Sequence, residues 1–270
     1  MDRGRHGGLD GRGTIDPGYD VAGPAGAQTV VLLHGTRLSR TTWAPQVARL
    51  SADHRIVAPD LPGHGVRAEV PFTLDAAALS IERVIDEAGN GRAVLGGLSL
   101  GGYVAMTVAA RSPERVAGLV LMGCSREPVG VWSLPYRALG LLIERTPPRA
   151  LDAAMRRFYR RRYEPAISEP IIEGGFWSAG GVAALAALRG QRFIPRLAAY
   201  PGPALIVNGS LDILFRLGER AFLDAARHGY RRVVPGAAHL VNLDRPAAVS
   251  DAIRAFVRGP VARSEAMRRG

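Results

Sequence analysis

One serine lies among glycines in residues 97–101, which read GLSLG. The segment follows an apolar run at residues 93–97 and precedes a stretch of helical period at residues 101–111. The pattern G-x-S-x-G between a buried strand and a helix is typical of a nucleophile elbow, a sharp and strained turn that exposes the serine hydroxyl. A Cβ at position 97 or 101 is expected to clash with neighbouring elements, which explains the glycines. The pattern therefore predicts that Ser99 is a nucleophile.

A serine hydroxyl needs a base that takes its proton, and His239 is the candidate. It lies in GAAHLVN, a loop of small residues between the last predicted strand and the last predicted helix. The remaining histidines lie in the amino-terminal segment, in glycine turns or beside polar neighbours typical of the surface: His6, His34, His54, His64 and His228.

An imidazole base needs an acceptor that fixes its tautomer and stabilises its charged form. Asp212 follows a buried strand and precedes His239 by 27 residues, on the neighbouring loop of the same sheet edge. The chain order Ser99, Asp212, His239 is the order of the elbow fold. Asp244 is an alternative acid, but it precedes an Arg-Pro pair and is predicted to cap a helix.

Two backbone N–H groups are candidates for an oxyanion hole, the pair of donors that stabilises a developing negative charge. The N–H of Leu100 opens the predicted helix above Ser99, and that of Thr36 lies in the loop after the first clear strand. In the same region Asp60 and His64, in APDLPGHG, could form a second catalytic pair, but Asp before Pro-Gly is turn chemistry. They are predicted to order a turn near the site.

Apolar, β-branched runs alternate with longer segments of helical period along the chain. This alternation predicts an α/β fold with a mostly parallel sheet covered by helices on both faces. The predicted strands are residues 29–33, 55–58, 93–97, 116–122, 204–209 and 230–234.

Residues 125–200 interrupt this alternation, because they contain amphipathic stretches separated by prolines and no convincing strand. They are predicted to form a helical lid over the site. In residues 155–163, MRRFYRRRY, helical spacing places Met155, Phe158 and Tyr159 on one face and most arginines on another. The apolar side chains of this segment that could line a substrate pocket include Trp132, Leu134, Tyr136, Phe176 and Trp177.

The length of 270 residues, with 47% hydrophobic residues, is sufficient for one large domain with an insertion. We predict a disordered tail at 1–13, a core at 14–124 and 201–258, the lid at 125–200 and a basic tail at 259–270. The amino terminus lacks the apolar segment of a secretory signal, no run reaches membrane-spanning length, and there is a single cysteine, Cys124. A cytoplasmic protein without a membrane span is expected.

The formal net charge is +11, and all 35 basic residues are arginine. Residues 124–200 carry twelve arginines against six acidic residues. A solvated lid surface is the default interpretation of this charge, and attraction of an anionic substrate is the alternative. Nucleic-acid binding is not expected, because the arginines of residues 155–163 lie on a solvated helix face. No histidine and carboxylate set has metal-ligand spacing, so neither a metal nor another cofactor is expected. Neither pattern nor spacing predicts an oligomeric state.

Residues 18–258 resemble the α/β-hydrolase fold superfamily, in particular its lid-bearing esterases, lactonases and haloperoxidase-like hydrolases. The matching motifs are YDVAGP, HGT with Trp43 beyond it, APDLPGHG, GLSLGGYVA, NGSLD and GAAHLVNLDRP. The resemblance implies a twisted sheet flanked by helices, a lid inserted after the sixth strand, Ser99, Asp212 and His239 as the triad, and the N–H groups of Thr36 and Leu100 as the oxyanion hole. Relatives often carry a proline shortly after the triad aspartate, where this chain reads Ile-Leu-Phe.

These residues predict a cofactor-independent serine hydrolase that cleaves a carboxylic ester, lactone or thioester of a small molecule through an acyl-enzyme on Ser99. The same triad can also cleave carbon–carbon bonds next to a ketone, so a C–C hydrolase is an alternative. A second alternative is a non-catalytic or slow-turnover small-molecule receptor that keeps the fold.

Overall fold

The computed structural model describes residues 16–269, so the tail predicted at 1–13 lies outside the described residues. Seven strands form one sheet, and six of them coincide with the predicted strands to within two residues. The strands are β1 (Tyr19–Ala22), β2 (Thr29–Leu33), β3 (Arg55–Pro59), β4 (Ala93–Leu98), β5 (Val116–Met122), β6 (Pro203–Gly209) and β7 (His228–Val234).

The spatial order of the strands is β1-β3-β2-β4-β5-β6-β7. Only β1 runs antiparallel to its neighbour; every other pair is parallel. Leu33 pairs with Gly97, and Gly209 pairs with Val234, so the carboxyl ends of these four strands reach the same edge of the sheet. The loops that follow this edge carry the candidate site residues, as expected for an open parallel sheet.

Helices cover both faces of the sheet. They are α1 (Ala44–Leu50), α2 (Leu74–Ala88), α3 (Leu100–Arg111), α4 (Leu134–Arg145), α5 (Pro148–Arg162), α6 (Pro165–Glu173), α7 (Ser178–Leu188), α8 (Ile194–Ala199), α9 (Ile213–Arg216), α10 (Glu219–Ala225), α11 (Val241–Asp244), α12 (Pro246–Phe256) and α13 (Ala262–Arg269).

The alternation of side chains along β2 shows how the core is divided. Val31 and Leu33 pack with α2 and α3 in one apolar cluster, whereas Val30 and Leu32 pack with α1 and α12 in another. All four side chains are fully buried. A strand covered on both faces needs apolar residues at every position, which is why TVVLL shows no polar alternation.

The five helices α4–α8 lie between β5 and β6, and residues 123–202 are called the helical insertion below. In the described chain the insertion follows the fifth strand, not the sixth, because only β1 precedes β2 in residues 16–269.

No single helix among residues 16–269 is long and apolar enough to cross a membrane. α6 and α7 together reach that length and composition, but they are bent by 90°.

The carboxyl-terminal residues predicted as a basic tail are helical. α12 continues through a wider turn, Val257–Val261, into α13. Val257 and Val261 are buried against the sheet, and Arg92 forms an ion pair with Glu265. Apolar contacts therefore hold this segment against the domain in spite of its excess of arginine.

Candidate active site

Ser99 lies between β4 and α3 with φ 51° and ψ −111°, a backbone conformation that residues with a side chain rarely adopt. Its N–H donates to the carbonyl of Met122 at 2.7 Å. A Cβ at Gly97 would lie 2.3 Å from Gly101, and a Cβ at Gly101 would lie 2.1 Å from the carbonyl oxygen of Leu33. The predicted steric need for both glycines is confirmed, and it follows from the tight passage of the chain around Ser99.

A cavity of about 450 Å³ lies above the carboxyl edge of the sheet and beneath the helical insertion. Ser99 and His239 both line it. Most of the remaining lining is apolar and comes from both the core and the insertion: Leu38, Leu98, Pro135, Leu139, Met155, Phe158, Leu185, Leu214, Phe215 and Leu240.

His239 and Asp212 are joined by a hydrogen bond of 2.9 Å between Nδ1 and Oδ2. The Asp212 side chain is 7% exposed and that of His239 is 39% exposed. A Cβ at Gly209 would lie 2.3 Å from the carbonyl oxygen of Ala237, so the two loops approach closely only because position 209 is glycine. A carboxylate on Nδ1 favours the tautomer in which Nδ1 carries the proton and Nε2 can accept one.

Phe215 occupies the region in which relatives often carry a proline. Its ring stacks on the imidazole of His239, with 4.9 Å between ring centroids and 21° between the planes. The stacked ring covers one face of the imidazole and so restricts its rotation, while the hydrogen bond to Asp212 fixes its edge.

The N–H groups of Thr36 and Leu100 have no hydrogen-bond partner among residues 16–269. Leu100 is the first residue of α3, where backbone donors lack acceptors within the helix and favour negative charge. Thr36 lines the cavity beside Gly35. Both groups therefore have the donor capacity that the sequence predicted.

Two buried histidines hold the loop that carries Thr36. His34 accepts the N–H of Leu61 at 3.0 Å through Nε2 and donates from Nδ1 to the carbonyl of Gly35 at 2.9 Å. His64 accepts the N–H of Arg37 at 3.2 Å and bonds the carbonyl of Pro62 at 2.9 Å. Burial lowers the pKa of His34 to about 4 and that of His64 to about 3. Both rings are used by the backbone and lie outside the cavity lining.

Asp60 does not form a catalytic pair with His64. Its carboxylate accepts the N–H of Arg40 at 2.8 Å and that of Val66 at 3.1 Å, and it pairs with the Arg40 guanidinium. Burial raises the pKa of Asp60 in spite of these donors. The geometry is that of a buried turn, as the sequence indicated.

Asp244 was predicted to cap the last core helix, and that prediction is wrong. Oδ2 accepts the N–H of Ala238 at 2.7 Å, and Oδ1 accepts the hydroxyl of Tyr163 and the guanidinium of Arg162, each at 2.8 Å. Arg245, not Asp244, precedes α12, and no side chain among residues 16–269 caps that helix. The Asp244 carboxylate is instead bound by Ala238 of the preceding loop and by Arg162 and Tyr163, which lie about 80 residues earlier.

The insertion places the predicted pocket residues differently. Tyr136 lines the cavity, and its hydroxyl lies 2.8 Å from that of Tyr103; burial raises the pKa of Tyr136 to about 12. Met155, Phe158 and Tyr159 also line it, on one face of α5. The other predicted residues, Trp132, Leu134, Phe176 and Trp177, are not among the lining residues.

Local contacts explain these differences. Trp132 lies under the guanidinium of Arg126 at 3.8 Å, and Phe176 stacks behind Tyr159 at 5.6 Å. The indole of Trp177 donates to the carbonyl of Gly174 at 3.0 Å. Hydrophobicity indicated which residues are candidates, but not which of two helix or loop faces turns inward.

The polar neighbours of His54 suggested that this histidine is exposed, yet it is only 3% exposed in the structure.

Arg37 was not singled out from the sequence, although it directly follows Thr36. It lines the cavity and is 8% exposed. The one available signal in the sequence was its place next to a candidate oxyanion donor.

In residues 16–269 no group of three or more His, Cys, Asp or Glu side chains is arranged to hold a metal ion.

A parallel sheet with a strained serine turn after β4 and a helical insertion after β5 defines the α/β-hydrolase fold. The profile of the alpha/beta hydrolase family matches residues 30–252, and the chain belongs to that family.

Among similar proteins, a pimeloyl-[acyl-carrier protein] methyl ester esterase of Edwardsiella ictaluri is 31% identical over 254 residues, which cover 87% of this chain and 95% of the relative. A solved thermophilic esterase from Thermogutta terrifontis is 28% identical, with a TM-score of 0.73 and coverage of 89% of this chain and 92% of that one. The enol-lactonase from Burkholderia xenovorans, 23% identical, shares the fold with a TM-score of 0.73 over 89% of this chain and 95% of its own.

Proposed function

We propose that this protein is a serine hydrolase of carboxylic esters with Ser99, His239 and Asp212 as its catalytic triad. The observation that carries the proposal is the 2.9 Å bond between His239 and the buried Asp212, at the edge of a cavity that Ser99 also lines. A nucleophile and a base that line one cavity, with an orienting acid bonded to the base, are the minimum that acyl transfer needs.

In the proposed reaction the Ser99 oxygen attacks the ester carbonyl while Nε2 of His239 takes the hydroxyl proton. The N–H groups of Thr36 and Leu100 stabilise the oxyanion. Collapse of the tetrahedral intermediate breaks the bond to the alcohol, which leaves with the proton from His239. Water then attacks the acyl-enzyme, His239 takes one of its protons and returns it to Ser99, and the acid is released.

The apolar lining favours an ester with an apolar acyl or alcohol portion. We propose that the helical insertion forms the lid of this cavity, because α4 and α5 supply Tyr136, Leu139, Met155, Phe158 and Tyr159 to its wall. A cavity of about 450 Å³ matches the size of a small-molecule site.

The direct test combines a fluorophosphonate probe, read by intact-protein mass spectrometry, with hydrolysis of p-nitrophenyl esters of increasing acyl length. One adduct per chain on Ser99 and a measurable kcat are expected, and Ser99→Ala should lose both. Because Ser99→Ala removes only the hydroxyl, a melting temperature close to that of the wild type is the control for folding. A labelled Ser99→Ala protein, or unchanged turnover by it, would contradict the proposal.

A further inference from the structure

Arg37 is a buried cation without a carboxylate partner. The residue is 8% exposed, and its Nε has no hydrogen-bond partner among residues 16–269. Within the described residues its one side-chain hydrogen bond is a long one, 3.3 Å from Nη2 to the hydroxyl of Ser178. In the described chain no carboxylate lies within ion-pair distance of its guanidinium.

Arg40, three residues further along the same loop, shows what a structural arginine in this region looks like. Its guanidinium pairs with Asp16, Asp20 and Asp60. A buried guanidinium is stable only where opposite charge and acceptors compensate its loss of hydration. Arg40 has that compensation within the chain, whereas Arg37 forms no ion pair with any carboxylate of residues 16–269. Asp152 favours the charged form of Arg37 without contacting it, and burial lowers the pKa of Arg37 in spite of this charge.

The fold nevertheless holds Arg37 in place from three sides. Its N–H donates to His64 at 3.2 Å, and its carbonyl accepts the N–H of Trp177 at 2.9 Å. Its φ is 66°, in the left-handed region, which glycine adopts without strain but residues with a side chain rarely adopt. A Cβ at Gly181 on α7 would lie 2.4 Å from Cγ of Arg37, so the insertion leaves space for this stem.

Arg37 lines the same cavity as Ser99 and His239, and no acidic residue is among the lining residues of the described chain. The cavity wall therefore combines a largely apolar lining with Arg37, whose guanidinium forms no ion pair within residues 16–269. Guanidinium groups bind carboxylates through two parallel N–H donors, and in a desolvated site this interaction is strong.

We propose that Arg37 binds a carboxylate of the substrate, so that the cavity selects esters whose apolar portion ends in a carboxylate. This inference rests on the proposed esterase function and adds its substrate class. Arg37 would act as a specificity residue, which recognises the far end of the substrate and takes no part in bond cleavage.

The test compares substrates that differ only at the terminal group. Mono-p-nitrophenyl esters of adipic, pimelic and suberic acids are paired with p-nitrophenyl hexanoate, heptanoate and octanoate, which have the same acyl carbon numbers. At one chain length or more, kcat/KM for the carboxylate ester should exceed that for its neutral counterpart at least tenfold. In Arg37→Met this ratio should fall at least tenfold, and Arg37→Lys should retain part of it.

Arg157→Met is the matched control, because it removes the same charge from an exposed position of α5. It should keep the wild-type ratio within twofold. The selectivity should also persist at high salt, since buried pairs are screened much less than surface charges. A wild type that prefers neutral esters at every chain length, or an equal ratio in Arg37→Met, overturns the inference.

A binding measurement separates this inference from the proposed chemistry. Calorimetric titration of mono-p-nitrophenyl pimelate into Ser99→Ala and into Ser99→Ala with Arg37→Met should give a Kd at least tenfold weaker in the double variant. Equal Kd values refute the role of Arg37 whether or not the wild type hydrolyses esters. Absence of hydrolysis of every ester in both series, carboxylate and neutral alike, would count against the esterase function instead. If Arg37→Met does not fold, as judged by its circular dichroism, Arg37→Gln takes its place in both measurements.

Discussion

The hydroxyl of Tyr163, at the end of α5, donates a 2.8 Å hydrogen bond to Oδ1 of Asp244, five residues after His239. The second oxygen of that carboxylate accepts the N–H of Ala238, the residue before His239. The side chain of Asp244 is 3% exposed. One buried carboxylate thus joins the helical insertion to the loop that carries the candidate base.

Loss of this link should weaken both the fold and the reaction. Tyr163→Phe removes the hydroxyl while the ring keeps its stacking on Tyr159, so the free energy of unfolding should fall by about 1 kcal/mol. We also expect a lower kcat, because the His239 loop loses one of its fixed points. Urea denaturation and ester hydrolysis measure the two effects. Tyr230→Phe, at a more exposed ring, is the control and should change the free energy of unfolding by less than about 0.5 kcal/mol. Equal effects of both variants would show that the hydrogen bond between Tyr163 and Asp244 does not stabilise the fold.

The two carboxylates near His239 should differ in their effect on catalysis. Asp212→Asn preserves the side-chain shape but removes the negative charge, and its amide N–H opposite Nδ1 favours the wrong imidazole tautomer. The expected loss in kcat is about 10³–10⁴-fold. Asp244→Asn should cost far less, since Asp244 bonds the backbone of Ala238 and not the imidazole. A larger loss from Asp244→Asn would identify Asp244 as the catalytic acid.

The elbow glycine should be intolerant of a single methyl group. Gly101→Ala places a Cβ 2.1 Å from the carbonyl oxygen of Leu33, and we expect a loss of about 1–3 kcal/mol in unfolding free energy together with reduced activity. Gly140→Ala makes the same chemical change inside α4, where a Cβ meets no atom within 4 Å. It should raise stability by about 0.5–1 kcal/mol. Denaturant melts of both variants check the prediction, and a stable Gly101→Ala would disprove the steric account.

Stability should decrease on mild acidification because of His34 and His64. Burial lowers their pKa values to about 4 and about 3, below the ordinary value of 6.5. Between these values and pH 6.5 the unfolded chain binds protons that the folded chain excludes. The two neutral imidazoles therefore contribute fully to the free energy of unfolding above pH 6.5, and this contribution is lost as pH falls towards 3. Each histidine contributes a slope of at most about 1.4 kcal/mol per pH unit.

Urea melts at a series of pH values from 7.5 to 4.5 measure this slope. His34→Asn should make the profile flatter, because asparagine does not titrate, and should lower stability at neutral pH by removing two hydrogen bonds. The exposed His228 provides the control, since His228→Asn should leave the slope unchanged. A pH profile that is the same in wild type and His34→Asn would argue against the buried neutral imidazole.

Local sequence patterns were sufficient for the sheet and for the position of the elbow. Short, β-branched apolar runs such as TVVLL favour strands buried on both faces, and G-x-S-x-G between a strand and a helix has few other uses. Asp212 and His239 could be proposed because both follow strands that end at one edge of a parallel sheet. These inferences depend on residues that are close in sequence or on a topology that fixes which strand ends meet.

The tertiary structure alone decided which side chains line the cavity and what Asp244 and Arg37 contact. Trp132 and Phe176 have the hydrophobicity of pocket residues, but Arg126 and Tyr159 cover them. Asp244 has the local sequence of a helix cap, yet Tyr163 and Arg162, about 80 residues earlier, bind its carboxylate. The local sequence determines the interactions that a residue makes with its neighbours along the chain. The faces that helices turn inward, and the partners that buried charges find or lack, depend on packing between distant segments.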